Sequence, residues 1–238
     1  MHHITVSDLI VDVHRKDIKN LHLGVYPPDG RVRVAAPLNI DDDALRLFII
    51  SKLGWIKKQQ HEFSEQTRQS EREYVSGESH YYLGNRYLLN VEYCKGHPSV
   101  SVRNKTYIDL RVRPGSDHQT RKRIMTEWYR SELKRIAKPL IEEWSETIGV
   151  DVAHWGVRLM KTRWGSCNTD EGRILLNLEL AKKPQQCLEY IIVHELVHLI
   201  ERHHNDIFVG LMDKYMPHWR LHRDELNAYP LKYEHWEY

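Results

Sequence analysis

Two histidines four residues apart, with a glutamate beside the first, are the residues of this sequence best suited to chemistry: His194-Glu195-Leu196-Val197-His198. On an α-helix, side chains four apart share one face about a turn along the axis, so two imidazoles can converge on a single ion. Glu195 is rotated by about 100° from His194, which sets its carboxylate beside such an ion rather than on it. Zinc-assisted hydrolysis needs that division, with neutral imidazoles holding Zn2+ and a carboxylate taking the proton of the attacking water. His194 and His198 are thus candidate ligands, and Glu195 is the candidate catalytic base.

With 16 histidines in the chain, the five-residue pattern alone is only suggestive. A further histidine six positions past His198 strengthens it. His204 is the expected third ligand, able to swing back once the helix ends, and it is preferred to His203. His203 could instead support the site, contact substrate or stand exposed. Glu201 falls on roughly the same helical face as His194 and His198, and is the alternative ligand or supporting group. Three histidines leave the fourth position of a tetrahedral ion open, whereas a closed structural site would leave Glu195 idle. Stabilising an oxyanion needs one more donor, for which Tyr215, His203, His222 and Arg223 are candidates.

These residues must be held by the elements around them. Pro184 fits the first turn of a helix carrying Leu188, Ile191, Ile192, Leu196, Leu199 and Ile200. Before it come a strand near Val152–Thr162, a loop Arg163–Asn168 and a strand Ile174–Leu178. The Trp164-Gly165-Ser166-Cys167 turn reads as packing that supports the site, since Cys167 lacks the spaced histidine of a nucleophile. Further upstream, Asp117 opens a long helix, with Ile124, Trp128, Leu133, Ile136, Leu140 and Ile141 on one stripe and Pro139 expected to bend it.

Alternation near Val11–Val13, Leu21–Val25 and Arg31–Val34 predicts strands, the last two forming an antiparallel hairpin about Pro27-Pro28-Asp29-Gly30. A helix capped by Asn39 or Asp41 follows and runs to about Gln66. Strands return over Tyr81–Leu83, Tyr87–Val91, Val100–Val102 and Tyr107–Leu110. No internal repeat is legible. Pro114-Gly115-Ser116 marks the expected boundary, giving a β-rich region with one helix over 1–115 and a helical catalytic region over 116–238. The fold class is α+β. The aromatic tail Tyr233–Tyr238 is expected to dock on the body.

The composition is that of a soluble globular chain, 41% hydrophobic and 29% charged. A net charge of +2 gives no support to nucleic-acid binding. Arg121, Lys122, Arg123, Arg130, Lys134, Arg135 and Lys138 decorate the helix after Asp117, but interleaved glutamates make it a solvated face. Cys94, Cys167 and Cys187 have no CxxC spacing, which argues against disulfides or a cysteine zinc site. With no signal segment and no membrane-length apolar run, a cytoplasmic protein without membrane contact is expected.

Arg163-Trp164-Gly165-Ser166-Cys167, Ile174-Leu175-Leu176-Asn177, the metal motif and His204-Asn205-Asp206-Ile207-Phe208 together resemble the YgjP-like metallopeptidases. These are zincin-like proteases related to the SprT-like group. The shared pattern spans about residues 163–208; before it only the order of elements is similar. The resemblance implies a zincin-like catalytic half, Zn2+ on His194, His198 and His204, Glu195 as catalytic base, and a peptide or protein substrate. Family members usually have Ser after the third histidine and Trp after the phenylalanine. Asn205 and Val209 stand there instead, outside the ligands, a departure that touches substrate contacts more than metal binding. Zincin-like folds commonly pair an extended peptide with an edge strand, and Val157–Lys161 and Ile174–Leu178 are the segments expected to do so. Two competing readings are a zinc-containing, nucleic-acid-associated SprT-like module and a metal-dependent hydrolase of a non-peptide bond.

Overall fold

In the computed structural model, which describes residues 2–26, 30–65, 72–160 and 163–228, alternating apolar residues at the N-terminus build four strands. These are β1 (His2–Val6), β2 (Leu9–Lys16), β3 (His22–Tyr26) and β4 (Arg31–Pro37). Their order is β1-β2-β4-β3, two antiparallel hairpins joined by a parallel β2–β4 pair. The expected hairpin is β3–β4; Pro27, Pro28 and Asp29 of its turn lie outside the described residues. The inward-facing Val11, Val13, Val32 and Val34 pack with Leu45, Ile49 and Ile56 of α1 (Asp42–Glu65). Asp41 caps that helix by accepting from the Ala44 N–H at 2.7 Å.

The pattern then recurs. Strands β5 (Ser79–Tyr82), β6 (Asn85–Tyr93), β7 (Ser99–Arg103) and β8 (Tyr107–Val112) adopt the order β5-β6-β8-β7, again two hairpins around a parallel pair. A helix follows again, α2 (His118–Ile148), capped by Asp117 and ended by Gly149 in the left-handed region at φ 80°. It continues unbroken through Pro139. The repeat is one of topology, carried by alternation rather than by matching residues.

Two compact units result, one over residues 1–70 and one over 71–232. Pro114–Ser116, the boundary expected from sequence, falls inside the second unit. Leu89, Ile108 and Leu110 of the second sheet share a core with Met125, Tyr129 and Leu133 of α2 and with the helices that follow. The β-rich half is therefore two sheets with separate cores. The tail Tyr233–Tyr238 lies outside the described residues.

Within the second unit a third sheet carries the site. It comprises β9 (His154–Arg158), β10 (Gly165–Asn168) and β11 (Arg173–Asn177), in the order β10-β11-β9. Part of the segment expected to be a loop, Gly165–Asn168, is thus a strand antiparallel to β11. A 3-10 turn at Leu178–Lys182 leads to α3 (Gln185–Val197), α4 (Asp206–Tyr215) and α5 (Trp219–Ala228). Helix α3 stops before Leu199 and Ile200, whose N–H groups bond three residues back, to Leu196 and Val197, tightening the exit. The α+β class holds. Among the described residues no helix is long and apolar enough to cross a membrane. On α2, Arg130, Arg135 and Lys138 pair with Glu127, Glu132 and Glu142.

Asn177, with no exposed surface, ties this sheet together. Its amide donates to the carbonyls of Met160 at 2.9 Å and Arg163 at 2.7 Å, and its oxygen accepts from Glu179 N–H at 3.2 Å. Replacing it with the similarly sized Leu strands several buried backbone groups. Asn177→Leu is expected to lower the unfolding free energy by about 3 kcal/mol, read from chemical denaturation of the metal-free protein; a loss below about 1 kcal/mol would contradict that role.

Candidate metal centre

The apolar run of α3 buries most of its residues, from Cys187 to Val197. That fixes the helix axially and rotationally, so that His194 and His198 face one cleft. His198 sits at the C-cap, still in helical conformation. Its Nδ1 lies 3.1 Å from the Glu201 carbonyl, to which it donates, so the lone pair of Nε2 points inward. Glu201 therefore contributes its backbone, while its carboxylate accepts from the His203 N–H at 2.9 Å.

His204 arrives from the loop before α4. Asn205, directly after it, caps α4 by accepting from Phe208 N–H at 3.0 Å. Asn and Ser are interchangeable as helix caps, so the anchoring of His204 survives the exchange. Val209, the other departure, is half-buried and packs against the core.

Three imidazoles converge. His204 Nε2 lies 3.1 Å and His198 Nε2 3.2 Å from His194 Nε2, and one ligand atom from each histidine falls within 4.8 Å of the others. A tetrahedral ion with Zn–N bonds of about 2.0–2.1 Å separates its ligands by about 3.3 Å, so the spacing fits. Among the described residues this is the one such cluster of His, Cys, Asp or Glu. Phe208, buried, packs its ring 4.7 to 5.0 Å from all three imidazoles and limits their rotation. Burial, then the neighbouring His198 and His204, pushes His194 down to about 3, so it stays a neutral donor across the physiological range.

Glu195 lines the same cleft and is itself only 5% exposed. Burial pushes its carboxyl up to about 8, opposed by the charge of Arg163. Strand β10 crosses it closely: a Cβ at Gly165 would overlap the Glu195 carboxyl oxygen. Glycine is required there by the close approach, which gives the Trp164–Cys167 segment its supporting role. Cys167 lies beside it with a thiol raised to about 11 by burial and by Glu195, unsuited to nucleophilic attack.

The cleft, about 940 Å³, is also lined by Arg163, Tyr190, Arg202 and Arg223. Of the four oxyanion candidates only Arg223 reaches it. Tyr215 instead donates to the Ile148 carbonyl at 3.4 Å, and neither His203 nor His222 lines the wall. Tyr190 was missed in the sequence because it reads as one more apolar helix position. Its ring stacks on Trp219 and meets His194 edge-on at 5.8 Å; its place one turn before His194 was the available signal. Of the two segments expected to pair with a peptide, Ile174–Leu178 contains β11, which is paired on both sides. Val157–Lys161 begins in β9, the sheet's other edge strand, and Lys161 lies outside the described residues. The edge strand on the cleft is β10.

An α+β chain with convergent ligands on a buried helix and a carboxylate beside them has the makings of a metal-dependent hydrolase. The sequence matches the model of the YgjP-like metallopeptidase domain over residues 19–229, and the chain belongs to that family. The match extends from β3 of the first unit through the second, well beyond the 163–208 motif region. A solved structure, the metallopeptidase zymogen of Pyrococcus abyssi abylysin, is similar at 21% identity, covering 37% of this chain and 90% of that chain with a TM-score of 0.35. No curated protein matches the chain.

The raised Glu195 carboxyl has a signed consequence. In metal-free protein its folded value of about 8 exceeds its ordinary 4.5, so it favours the fold at low pH and costs stability as pH rises through 8. His194 acts oppositely, but only below its ordinary 6.5. Glu195→Gln removes the ionisation, so in chelator-treated protein the variant should gain on the parent as pH rises from 5 to 9. The gain should reach a few kcal/mol, on the order set by the shift. Thermal unfolding across that range checks it; a pH-independent difference would contradict the burial of a free carboxyl.

Proposed function

We propose that this chain is a zinc metallopeptidase in which His194, His198 and His204 hold the ion and Glu195 is the general base. The observation that carries the reading is the 3.1–3.2 Å spacing of the Nε2 atoms, two edges of a tetrahedron with neutral nitrogens at its corners. Bound zinc would supply a Lewis acid that polarises a carbonyl and lowers the pKa of water at the open fourth position.

The chain's own residues do the rest. Glu195 takes a proton from the attacking water and passes it to the leaving amine. The ion's charge favours the carboxylate form, offsetting the burial that raises its pKa. Strand β10 offers its free edge to an extended peptide, laying the scissile carbonyl across the three histidines. Arg223, which also lines the cleft, is the donor for a developing oxyanion. The reaction is hydrolysis of a peptide or protein.

Glu195→Gln tests the assignment of roles. The variant should retain zinc stoichiometrically, by metal analysis, while losing at least about a hundredfold in cleavage of an unstructured protein such as casein. His204→Ala should lose zinc as well as activity. Full activity in Glu195→Gln would rule out the base, and full zinc retention in His204→Ala would rule out the ligand.

A further inference from the structure

We propose that Arg163, Arg202 and Arg223 make the cleft a selector for acidic polypeptide, engaging Asp or Glu side chains beside the bond to be cut. This rests on the peptidase reading and adds the substrate class.

The three guanidiniums come from separate places: the segment before β10, the turn after α3, and helix α5. Only two carboxylates line the same wall, Glu195 and Asp170, and Glu195 is the buried base on the floor. Arg163 and Arg202, both exposed, form no salt bridge among the described residues. Arg223 bonds its chain neighbour Asp224 at 2.9 Å and lies 5.1 Å from the Trp219 ring centre, which orients it. Elsewhere in this unit Arg103, Arg111, Arg135 and Arg220 pair with Asp109, Glu92, Glu132 and Asp213. Arg86, Arg113 and Arg158 also carry no salt bridge among the described residues, so what distinguishes Arg163 and Arg202 is their place on one cleft with Arg223.

The chain as a whole is only +2, so this local excess does not follow from composition. A cleft whose charged groups are mostly of one sign focuses its field and concentrates opposite charge. The planar guanidinium fork matches a carboxylate through two parallel hydrogen bonds. Arg163 directly precedes the edge strand β10, and Arg202 and Arg223 line the same cleft, so an extended peptide on β10 would present its side chains at alternate positions within that cleft. A polynucleotide would also supply anions, but its backbone needs a continuous basic track. The basic helix α2 has Arg130, Arg135 and Lys138 paired with glutamates and contributes no residue to the cleft.

The test uses the full zinc-loaded chain and two sets of end-blocked, internally quenched peptides, one with Asp and Glu flanking the central bond and one with Asn and Gln. The acidic set should show about tenfold higher kcat/KM at low salt, a preference that shrinks as ionic strength rises. Arg202→Glu should sharply reduce or invert that ratio, and the milder Arg202→Gln should reduce it if the charge reversal does not fold. Equal kcat/KM for the two sets would overturn the proposal and leave the peptidase reading intact. Cleavage of neither set would count against the peptidase reading, and fluorescence anisotropy would then decide the selector. Tighter binding of acidic peptide sustains it, and equal binding overturns it. Displacement of the acidic peptide by a single-stranded DNA of equal charge, at lower concentration than by the peptide itself, would identify the anion as phosphate and also overturn it.

Discussion

Two imidazole nitrogens, of His198 and His204, held within hydrogen-bonding distance of His194 Nε2 create an electrostatic problem that a cation solves. At most some of the contacts can be N–H to lone pair, and His198 has already committed its Nδ1 proton to the Glu201 carbonyl. Its Nε2 therefore presents a lone pair to His194, where burial opposes protonation as well. The polypeptide holds this arrangement with the buried length of α3, the Asn205 cap on α4 and the Phe208 ring wedged among the imidazoles. These restraints come from two helices, α3 and α4, so the cluster depends on both being packed in the second unit.

The carboxylate has its own supports. Glu195 lies one residue from a ligand, yet its surroundings are set by the third sheet. Asn177 pins the start of β10 to β11 and to the 3-10 turn, and Gly165 lets the strand pass against the carboxyl without a side chain between them. Its burial raises the pKa in the metal-free protein, and a cation nearby acts in the other direction. Base strength and metal binding are thus coupled through a single buried charge.

The sequence revealed the three-histidine cluster because helical periodicity makes a four-residue spacing geometrically meaningful, and because His204 follows at a fixed short distance. Strand existence was also readable, as at β3–β4 and β6–β8, since alternation reflects one buried face. What it hid were relations between distant segments. The parallel pairings β2–β4 and β6–β8 leave no local mark, so the repeated sheet topology was invisible. The boundary was misplaced at Pro114–Ser116 because a turn signal reports local conformation and not which core its neighbours enter. Gly165–Asn168 passed for a loop, being too short and too polar for a strand pattern. Tyr190 was indistinguishable from the apolar positions around it. Asn205 looked like a departure until its capping role became visible.

Anomalous diffraction at the zinc absorption edge, from crystals of the zinc-loaded chain, tests the central claim most directly. The account predicts one strong peak about 2.0–2.1 Å from the Nε2 atoms of His194, His198 and His204, with a fourth position open to solvent beside Glu195. No peak there, or a peak coordinated by His203 or the Glu201 carboxylate in place of His204, would contradict it.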